Sequence, residues 1–151
     1  MAKKGAKKKR GKPPPKCKAI LLCDQVILDA ITRKLSVIGI FDAFNVPAFP
    51  GMTAQFTAFM QVTDGHGEYR ITIEIHDLQA DAILGRATGP PINLPDRTAK
   101  LNYFIPVPPL PLAHAGRYDF VVFADGQEID RQQFEAREVG ILPDGNHAQA
   151  Q

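Results

Sequence analysis

The most regular feature of the chain is an alternation of apolar and polar residues with a period of two. In the segment EYRITIEIHD, alternate residues from Tyr69 to Ile75 are apolar and the residues between them are polar. In TAQFTAFMQV, alternate residues from Phe56 to Val62 form a continuous apolar set. Successive side chains of a β-strand point to opposite faces of its sheet, so each segment predicts a strand with one buried face.

Aspartate and glycine residues between such segments predict tight turns. Asp64, Gly65 and Gly67 separate the two segments just described, and they supply the positive φ angles that a hairpin turn requires. We therefore expect those two strands to form a hairpin. Asp125 and Gly126 interrupt the segment YDFVVFADGQEIDRQQF in the same way and predict a second hairpin.

Less regular segments complete the predicted elements. Ile129 and Phe134 stand five residues apart, which predicts a bulge or a change of face between them. In DAITRK, Asp29 and Thr32 can both bond backbone N–H groups, which predicts a turn over residues 29–34, with a short helix over 26–33 as the alternative. Further strands are predicted at residues 18–23, 35–41, 82–86 and 99–105.

Many short strands with Gly/Pro turns, and no long helical period, predict an all-β fold. The arrangement that we expect is an antiparallel β-sandwich of the immunoglobulin-like, Greek-key type. The segment HAGRYDF supports it, because Tyr118 follows Gly116 by two residues at the start of a strong strand. This spacing resembles the tyrosine corner of such sandwiches, whose hydroxyl bonds to upstream backbone. In tyrosine corners an aspartate is common four residues before the tyrosine, and this sequence has His114 at that position.

Charge is distributed unevenly along the chain and suggests a division into three parts. Residues 1–18 carry nine Lys or Arg and no acidic residue, which leaves nine basic against sixteen acidic side chains, a net charge of about −7, in the rest. Residues 1–16 also lack large apolar side chains after Met1. We predict a disordered Lys-rich arm at 1–16, a β-sandwich domain at 17–138 and a flexible tail at 139–151.

The basic arm is a candidate for contact with nucleic acid. Clustered cations release counterions from a phosphate backbone and bind it without reading its sequence. No aromatic residue stands among these lysines, so base stacking is not predicted, and the arm has no apolar residues to insert into a membrane. A solubilising tail, an intramolecular partner for the acidic body and docking to an acidic protein remain alternatives. The candidate residues are Lys3, Lys4, Lys7, Lys8, Lys9, Arg10, Lys12 and Lys16.

Catalytic chemistry is not predicted. Nucleophile elbows, phosphate-binding loops, HExxH and paired CxxC motifs are all absent from the sequence, and Ser36 is the only serine. We therefore predict no enzyme activity, no catalytic residue and no cofactor. Turn aspartates could gather around calcium, although Asp-Gly pairs already serve as hairpin turns, and a folded metal site from His66, His76 and Asp77 is a further alternative. The calcium candidates are Asp64, Asp77, Asp81 and Asp125.

The remaining observations concern location and partners. Cys17 and Cys23 are about 20 Å apart in an extended strand, too far for a disulfide, and two thiols suit a reducing interior. No apolar run approaches the length of a membrane span, so we predict a cytoplasmic protein. Phe59, Phe104 and Phe123 are out of phase with the core pattern; together in solvent they would form a partner or dimer patch, but cover by a second sheet is favoured.

A wider resemblance rests on ordered blocks of sequence. CDQVILDAITRKLSVIGIFDAF, FP at 49–50, VTDGHGEYRITIEIHDL, PPI at 90–92 and GRYDFVVFADGQEIDRQQF resemble a family of short bacterial proteins, frequent in planctomycete-type genomes, that carries only a domain-of-unknown-function label. The resemblance covers residues 17–137 and implies a compact, β-sandwich-like domain that is not a catalyst.

These observations lead to one expected function and two alternatives. We predict a non-enzymatic binding or scaffolding protein that contacts an unknown protein partner through a sheet edge or loops. The first alternative is a nucleic-acid- or ribosome-associated protein that uses residues 1–18. The second is a calcium- or ligand-binding sandwich.

Overall fold

The computed structural model describes residues 12–140, which form fourteen β-strands and no helix. The prediction of an all-β fold is confirmed. No helix in the described part of the chain could span a membrane. The strands are β1 Lys16–Cys23, β2 Gln25–Leu28, β3 Leu35–Ile38, β4 Ala43–Val46, β5 Gly51–Met52, β6 Phe56–Thr63, β7 Gly67–Tyr69, β8 Ile71–Asp77, β9 Ala82–Thr88, β10 Ile92–Leu94, β11 Lys100–Val107, β12 Pro111–Leu112, β13 Gly116–Ala124 and β14 Gln127–Glu138.

Two larger sheets supply most of the core. One has five strands in the order β4-β14-β13-β8-β9, and the other has three in the order β1-β6-β11. All pairs are antiparallel except β4–β14, which is parallel. Three two-stranded sheets, β10-β7, β12-β5 and β2-β3, complete the described part.

The predicted alternation correctly identified the buried faces of the central strands. In β6, Ala58, Met60 and Val62 are fully buried, and in β8, Ile71 and Ile73 are fully buried. Side chains from both larger sheets join one hydrophobic cluster. Because apolar area removed from water stabilises a fold by about 25 cal/mol per Å², this shared interior holds the two sheets together.

The predicted hairpin between the first two segments is wrong. β6 pairs with β1 and β11 in one sheet, whereas β8 pairs with β13 and β9 in the other. The turn therefore carries the chain from one sheet to the other. Asp64 and Gly67 do adopt positive φ angles of 65° and 106° there, and a side chain on Gly65 would collide with Leu94 and Tyr69. Alternation specifies the buried face of a strand, but it does not identify the neighbouring strand.

The second hairpin is confirmed. β13 pairs with β14 through a turn in which Asp125 and Gly126 have φ angles of 48° and 82°. The register between these strands skips Ile129, opposite Val122 and Phe123, so the break in alternation is a bulge at that residue.

The turn over residues 29–34 is confirmed, and the alternative helix over 26–33 is wrong because β2 occupies Gln25–Leu28. The strand predicted at 35–41 ends at Ile38, since Gly39 follows with a φ of 71°. The other three predicted strands are present as β1, β9 and β11.

Only a few residues of the predicted arm and of the predicted tail fall within the described part of the chain. Lys16 is the first residue of β1 and Pro15 is buried, so these two residues pack with the body. At the other end, the N–H of Val139 donates to the carbonyl of Val46 at 2.9 Å. Residues 1–11 of the predicted arm and residues 141–151 of the predicted tail lie outside the described residues.

The three out-of-phase phenylalanines do not form one patch. Phe59 and Phe104 stand opposite each other on β6 and β11, while Phe123 is in β13 of the other sheet. Phe104 remains 42% exposed, so the expected cover by a second sheet is wrong for this residue.

Candidate protein interface

The β2–β3 hairpin carries the most exposed apolar surface of the described residues. Within residues 12–140, nine large apolar side chains are exposed, and five of the nine fall between Ile27 and Ile40. Single exposed apolar residues are normal on protein surfaces, but a local group of them marks an interaction site. The five are Ile27, Leu28, Ile31, Ile38 and Ile40, with Ile31 at 93% exposure.

The tip of this hairpin is held by Asp29. Its Oδ1 atom accepts hydrogen bonds from the N–H groups of Ile31 and Thr32, both at 2.8 Å. Its own N–H donates to the carbonyl of Lys34 at 2.9 Å, and its carbonyl accepts from Arg33 at 2.9 Å. These bonds satisfy the turn without help from the body, and they leave the Ile31 side chain pointing outward.

Both faces of the hairpin are aliphatic. Val26 stands opposite Val37, and Leu28 stands opposite Leu35, so these four side chains share one face. Ile27 and Ile38 lie on the other face with Gln25 and Ser36. A two-stranded sheet with one solvated face would carry polar residues there, and on this face two of the four side chains are isoleucines.

The edge of the hairpin is open. Among the described residues, β2 and β3 pair only with each other. The bond from the Asp29 N–H to the Lys34 carbonyl makes residues 29 and 34 a hydrogen-bonded pair. Hydrogen-bonded and non-hydrogen-bonded pairs alternate along an antiparallel ladder, so the next hydrogen-bonded pairs are Ile27–Ser36 and Gln25–Ile38. The N–H and C=O groups of residues 35 and 37 therefore point away from β2. Open edges of this kind are templates for pairing with another strand.

Two clefts meet at the foot of the hairpin, on either side of Ile40 and Phe41. One has a volume of about 430 Å³ and is lined by Leu21, Ile40, Gln132 and Gln133, among others. The second, of about 460 Å³, runs past Gly39, Ile40 and Phe44. The Phe41 N–H donates to the Leu22 carbonyl at 2.9 Å and fixes the foot of the hairpin to the body.

The described arm residues contact acidic turns. The Lys12 ammonium lies 3.4 Å from Asp125 and 4.8 Å from the centre of the Tyr69 ring, and it also contacts the Glu68 carbonyl. The Tyr69 hydroxyl donates to the Pro13 carbonyl at 2.7 Å.

Lys16 is paired in the same manner. Its ammonium lies 3.0 Å from Asp64, and together with Arg97 it holds the pKa of that carboxyl below its ordinary value. Lys12 and Lys16 thus form ion pairs with Asp125 and Asp64, respectively. The other candidate nucleic-acid contacts, Lys3, Lys4, Lys7, Lys8, Lys9 and Arg10, lie outside the described residues.

The calcium candidates are separate and serve turns. Asp125 accepts a hydrogen bond from the N–H of Arg70 at 2.9 Å, and Asp77 accepts from Gln79 and Ala80. Asp81 adopts a φ of 49°, as a turn residue does. No group of three or more His, Cys, Asp or Glu side chains in residues 12–140 is arranged to hold a metal ion.

The metal candidate His76 has a carboxylate partner on its own strand. Its Nε2 atom lies 3.3 Å from Glu74, whose other carboxylate oxygen pairs with Arg86 at 2.6 Å. Burial opposes ionisation of Glu74, but the hydrogen bonds from Arg86 and His76 hold its pKa below the ordinary value. Sequence analysis missed this ion pair, because Arg86 is brought beside Glu74 only by the pairing of β8 with β9.

Both cysteines are free thiols, as predicted. Burial, with the nearby Asp130 carboxylate, raises the pKa of the Cys17 thiol to about 12. This thiol is therefore protonated at neutral pH and is not an activated nucleophile.

The predicted tyrosine-corner bond is present at the end of the five-stranded sheet. The Tyr118 hydroxyl donates to the carbonyl of His114 at 2.7 Å, and the His114 ring stacks against Tyr118. Gly116 between them has a φ of 134°, which favours glycine. Tyr118 is fully buried, so these residues act in the structure of this corner.

The sequence analysis did not identify this candidate interface. The alternation predicted an ordinary strand at residues 35–41 and a turn at 29–34, and neither pattern indicates what covers the hairpin. The available signal was the run from Val26 to Ile40, in which both phases of the alternation carry aliphatic residues. A strand with two apolar faces requires cover on both sides.

Comparison with known proteins gives a family and a fold. No match was found among proteins of curated function. The structure is similar to Pseudomonas fluorescens alkylpurine DNA glycosylase AlkC bound to DNA containing an abasic site analog, with a TM-score of 0.50 and 9% identity over 84% of this chain. The match spans 31% of the glycosylase chain and concerns the fold alone. Residues 18–137 match the model of a family of unknown function, DUF6941. The chain therefore belongs to this family.

Proposed function

We propose that this protein is a non-enzymatic binding module that contacts a partner protein through the β2–β3 hairpin. The observation that supports it most is that five of the nine exposed large apolar side chains in residues 12–140 lie between Ile27 and Ile40. The partner that fits presents an aliphatic surface and a strand that can pair with an open edge. Main-chain hydrogen bonds would then give affinity, and the aliphatic side chains would give specificity.

Stability considerations support cover by a partner. An isolated two-stranded hairpin is marginally stable in water, and each of these strands has only four residues. Full burial of an Ile or Leu side chain is worth about 1.5–3 kcal/mol relative to exposure. Cover of the hairpin therefore stabilises both the complex and the hairpin.

The alternatives receive less support. The two basic arm residues that the structure describes, Lys12 and Lys16, contact Asp125 and Asp64, which supports an intramolecular role for this part of the arm. The turn aspartates that could bind calcium are engaged separately by backbone N–H groups and lysines.

Two further predictions from the sequence, the type of β-sandwich and the cellular location, are part of this proposal. We place the fold among the immunoglobulin-like, Greek-key sandwiches, on the strength of the bond between the Tyr118 hydroxyl and the His114 carbonyl. We place the protein in the cytoplasm, where the free thiols of Cys17 and Cys23 remain reduced.

Site-specific photo-crosslinking tests the hairpin as the contact surface. A photoreactive amino acid replaces Ile31 at the tip, or Ile83 as a matched control, since Ile83 is an isoleucine that is 52% exposed on β9. We expect a discrete adduct from position 31 and none from position 83. Excess unlabelled protein should compete for it, whereas the Leu35→Asp/Val37→Asp variant should not.

Two results would contradict the proposal. One is equal labelling from positions 31 and 83, which would indicate random collision. The other is equal competition by the wild-type protein and the double variant at matched thermal stability, since the aliphatic side chains would then have no part in binding.

A further inference from the structure

We infer that the partner of the hairpin is a second copy of this chain. In this arrangement, β3 of one copy pairs antiparallel with β3 of the other across a two-fold axis. The two hairpins then form one four-stranded sheet in the order β2-β3-β3-β2. The inference rests on the proposed function of the hairpin and names its partner.

The first step is the direction of the free backbone groups. In β3, the groups of Ser36 and Ile38 face β2, and those of Leu35 and Val37 face outward. An antiparallel partner must therefore place its own outward groups opposite residues 35 and 37. A second β3 does so when Ser36 lies on the two-fold axis, because Leu35 of each copy then pairs with Val37 of the other.

The second step is the match of side chains in that register. Directly opposite residues of an antiparallel pair share a face. Leu35 and Val37 already share a face with Val26 and Leu28 within one hairpin. The two-fold pairing therefore joins two sets of four aliphatic side chains into one continuous face. Four strands with such a face exceed the minimum of about three that a small sheet needs for stability.

The third step is the match of charges. With Ser36 on the axis, Arg33 of one copy, just before β3, comes to the end of the pair where Gly39 of the other copy follows β3. The Asp24 carboxylate occupies the space where a side chain at Gly39 would lie, so we expect it to attract Arg33 of the second copy. Arg33 and Asp24 stand at opposite ends of one hairpin, so they are too far apart to pair within a copy.

Pairing through the other edge is disfavoured by the same argument. A two-fold pairing of β2 with β2 around Ile27 would place Asp29 of one copy opposite Gln25 of the other, next to Asp24. Two carboxylates would then approach each other twice in the dimer. Like charges opposite each other destabilise a sheet, so β3 is the edge that we assign.

A pair of proline substitutions in the full-length protein tests the edge. Val37→Pro removes an outward N–H from β3, and Val26→Pro removes an outward N–H from β2, directly opposite on the same hairpin. Both valines are partly buried, so the two changes are matched. In sedimentation equilibrium we expect a wild-type dimer, at least a tenfold weaker dimer for Val37→Pro, and a change of less than about threefold for Val26→Pro.

A charge exchange tests the register without proline. Arg33→Glu and Asp24→Arg should each weaken the dimer by about tenfold, and the double variant should recover most of that loss, because its opposite charges meet again across the axis. Failure of the double variant to recover, with each single variant weakened, would contradict this register.

The outcomes also separate this inference from the proposed function. A wild-type chain that is monomeric throughout, or a dimer that Val37→Pro and Val26→Pro weaken equally, would overturn the second copy as the partner. If position 31 nevertheless labels a different protein, the hairpin is still a binding surface. If position 31 labels nothing, the proposed function fails as well.

Discussion

The Nε2 atom of His114 lies 2.7 Å from the Oδ2 atom of Asp77, and its Nδ1 atom lies 2.8 Å from the carbonyl oxygen of Ala115. Both contacts are to acceptors, so the ring satisfies them together only when both nitrogens carry a proton. The Ala115 carbonyl and the Asp77 carboxylate accordingly raise the pKa of His114. Burial opposes ionisation of Asp77, but the N–H of Ala80 and the His114 ring hold its pKa below the ordinary value.

This pair predicts a pH dependence of stability. The contribution of His114 is complete below its unfolded pKa of 6.5 and is lost as pH rises through its higher folded value. The contribution of Asp77 is present above its ordinary pKa of 3.8 and is lost as pH falls through its lower folded value. We expect His114→Gln to reduce the free energy of unfolding by about 2 kcal/mol near pH 5.5. Urea titrations should show a smaller loss near pH 9. An equal loss at the two pH values would contradict an ionised pair.

The tyrosine-corner bond predicts a smaller effect on stability at neutral pH. Tyr118→Phe removes the hydroxyl that donates to the His114 carbonyl and keeps the buried ring. We expect a loss of about 1 kcal/mol in urea denaturation at neutral pH, the usual worth of one such bond. A variant as stable as the wild type would show that this hydroxyl adds nothing to the corner.

Two phenylalanines should respond very differently to truncation. The Phe44 ring lies within 5 Å, centre to centre, of the rings of Phe41, Phe56 and Phe134, and is 7% exposed. Phe44→Ala should cost about 3–5 kcal/mol, because it leaves a cavity between the two larger sheets. Phe104→Ala, on a residue 42% exposed, should cost less than about 1.5 kcal/mol. Thermal unfolding of both variants checks the contrast, and similar losses would place Phe104 in the core.

The arm predicts a contrast between two sets of basic residues. If the arm binds nucleic acid, Lys12→Ala/Lys16→Ala should change duplex affinity little, because both lysines are already paired with aspartates. Changing Lys3, Lys4, Lys7, Lys8, Lys9 and Arg10 to Gln should abolish binding at low salt. Fluorescence anisotropy with a labelled duplex at two salt concentrations measures both. Equal losses from the two sets would show that the paired lysines contribute as much as the others.

The strands and their buried faces could be read from the sequence, but of their pairings only the β13–β14 hairpin could. The period of two from Phe56 to Val62 and from Tyr69 to Ile75 identified core residues directly, because burial acts on each side chain separately. The neighbours of β6 are β1 and β11, which lie far from it in the chain. Such pairings depend on the whole interior, so the local turn at Asp64 suggested the wrong neighbour.

The candidate interface was only partly accessible to sequence analysis. The turn at Asp29 was predicted from its side-chain chemistry, since its hydrogen bonds are local. The exposure of Ile27 and Ile38 was not, because aliphatic residues on a strand ordinarily indicate burial. Only the structure shows that, among the described strands, β3 is hydrogen-bonded to β2 alone.

Amide hydrogen exchange of the purified protein, followed at two concentrations, tests the hairpin interface most directly. The account predicts that the amides of Leu35 and Val37, on the outer edge of β3, become more protected as concentration rises. The amides of Val26 and Leu28, on the outer edge of β2, should exchange at the same rate at both concentrations. Rapid exchange at all four positions, independent of concentration, would contradict pairing of the hairpin with a second copy.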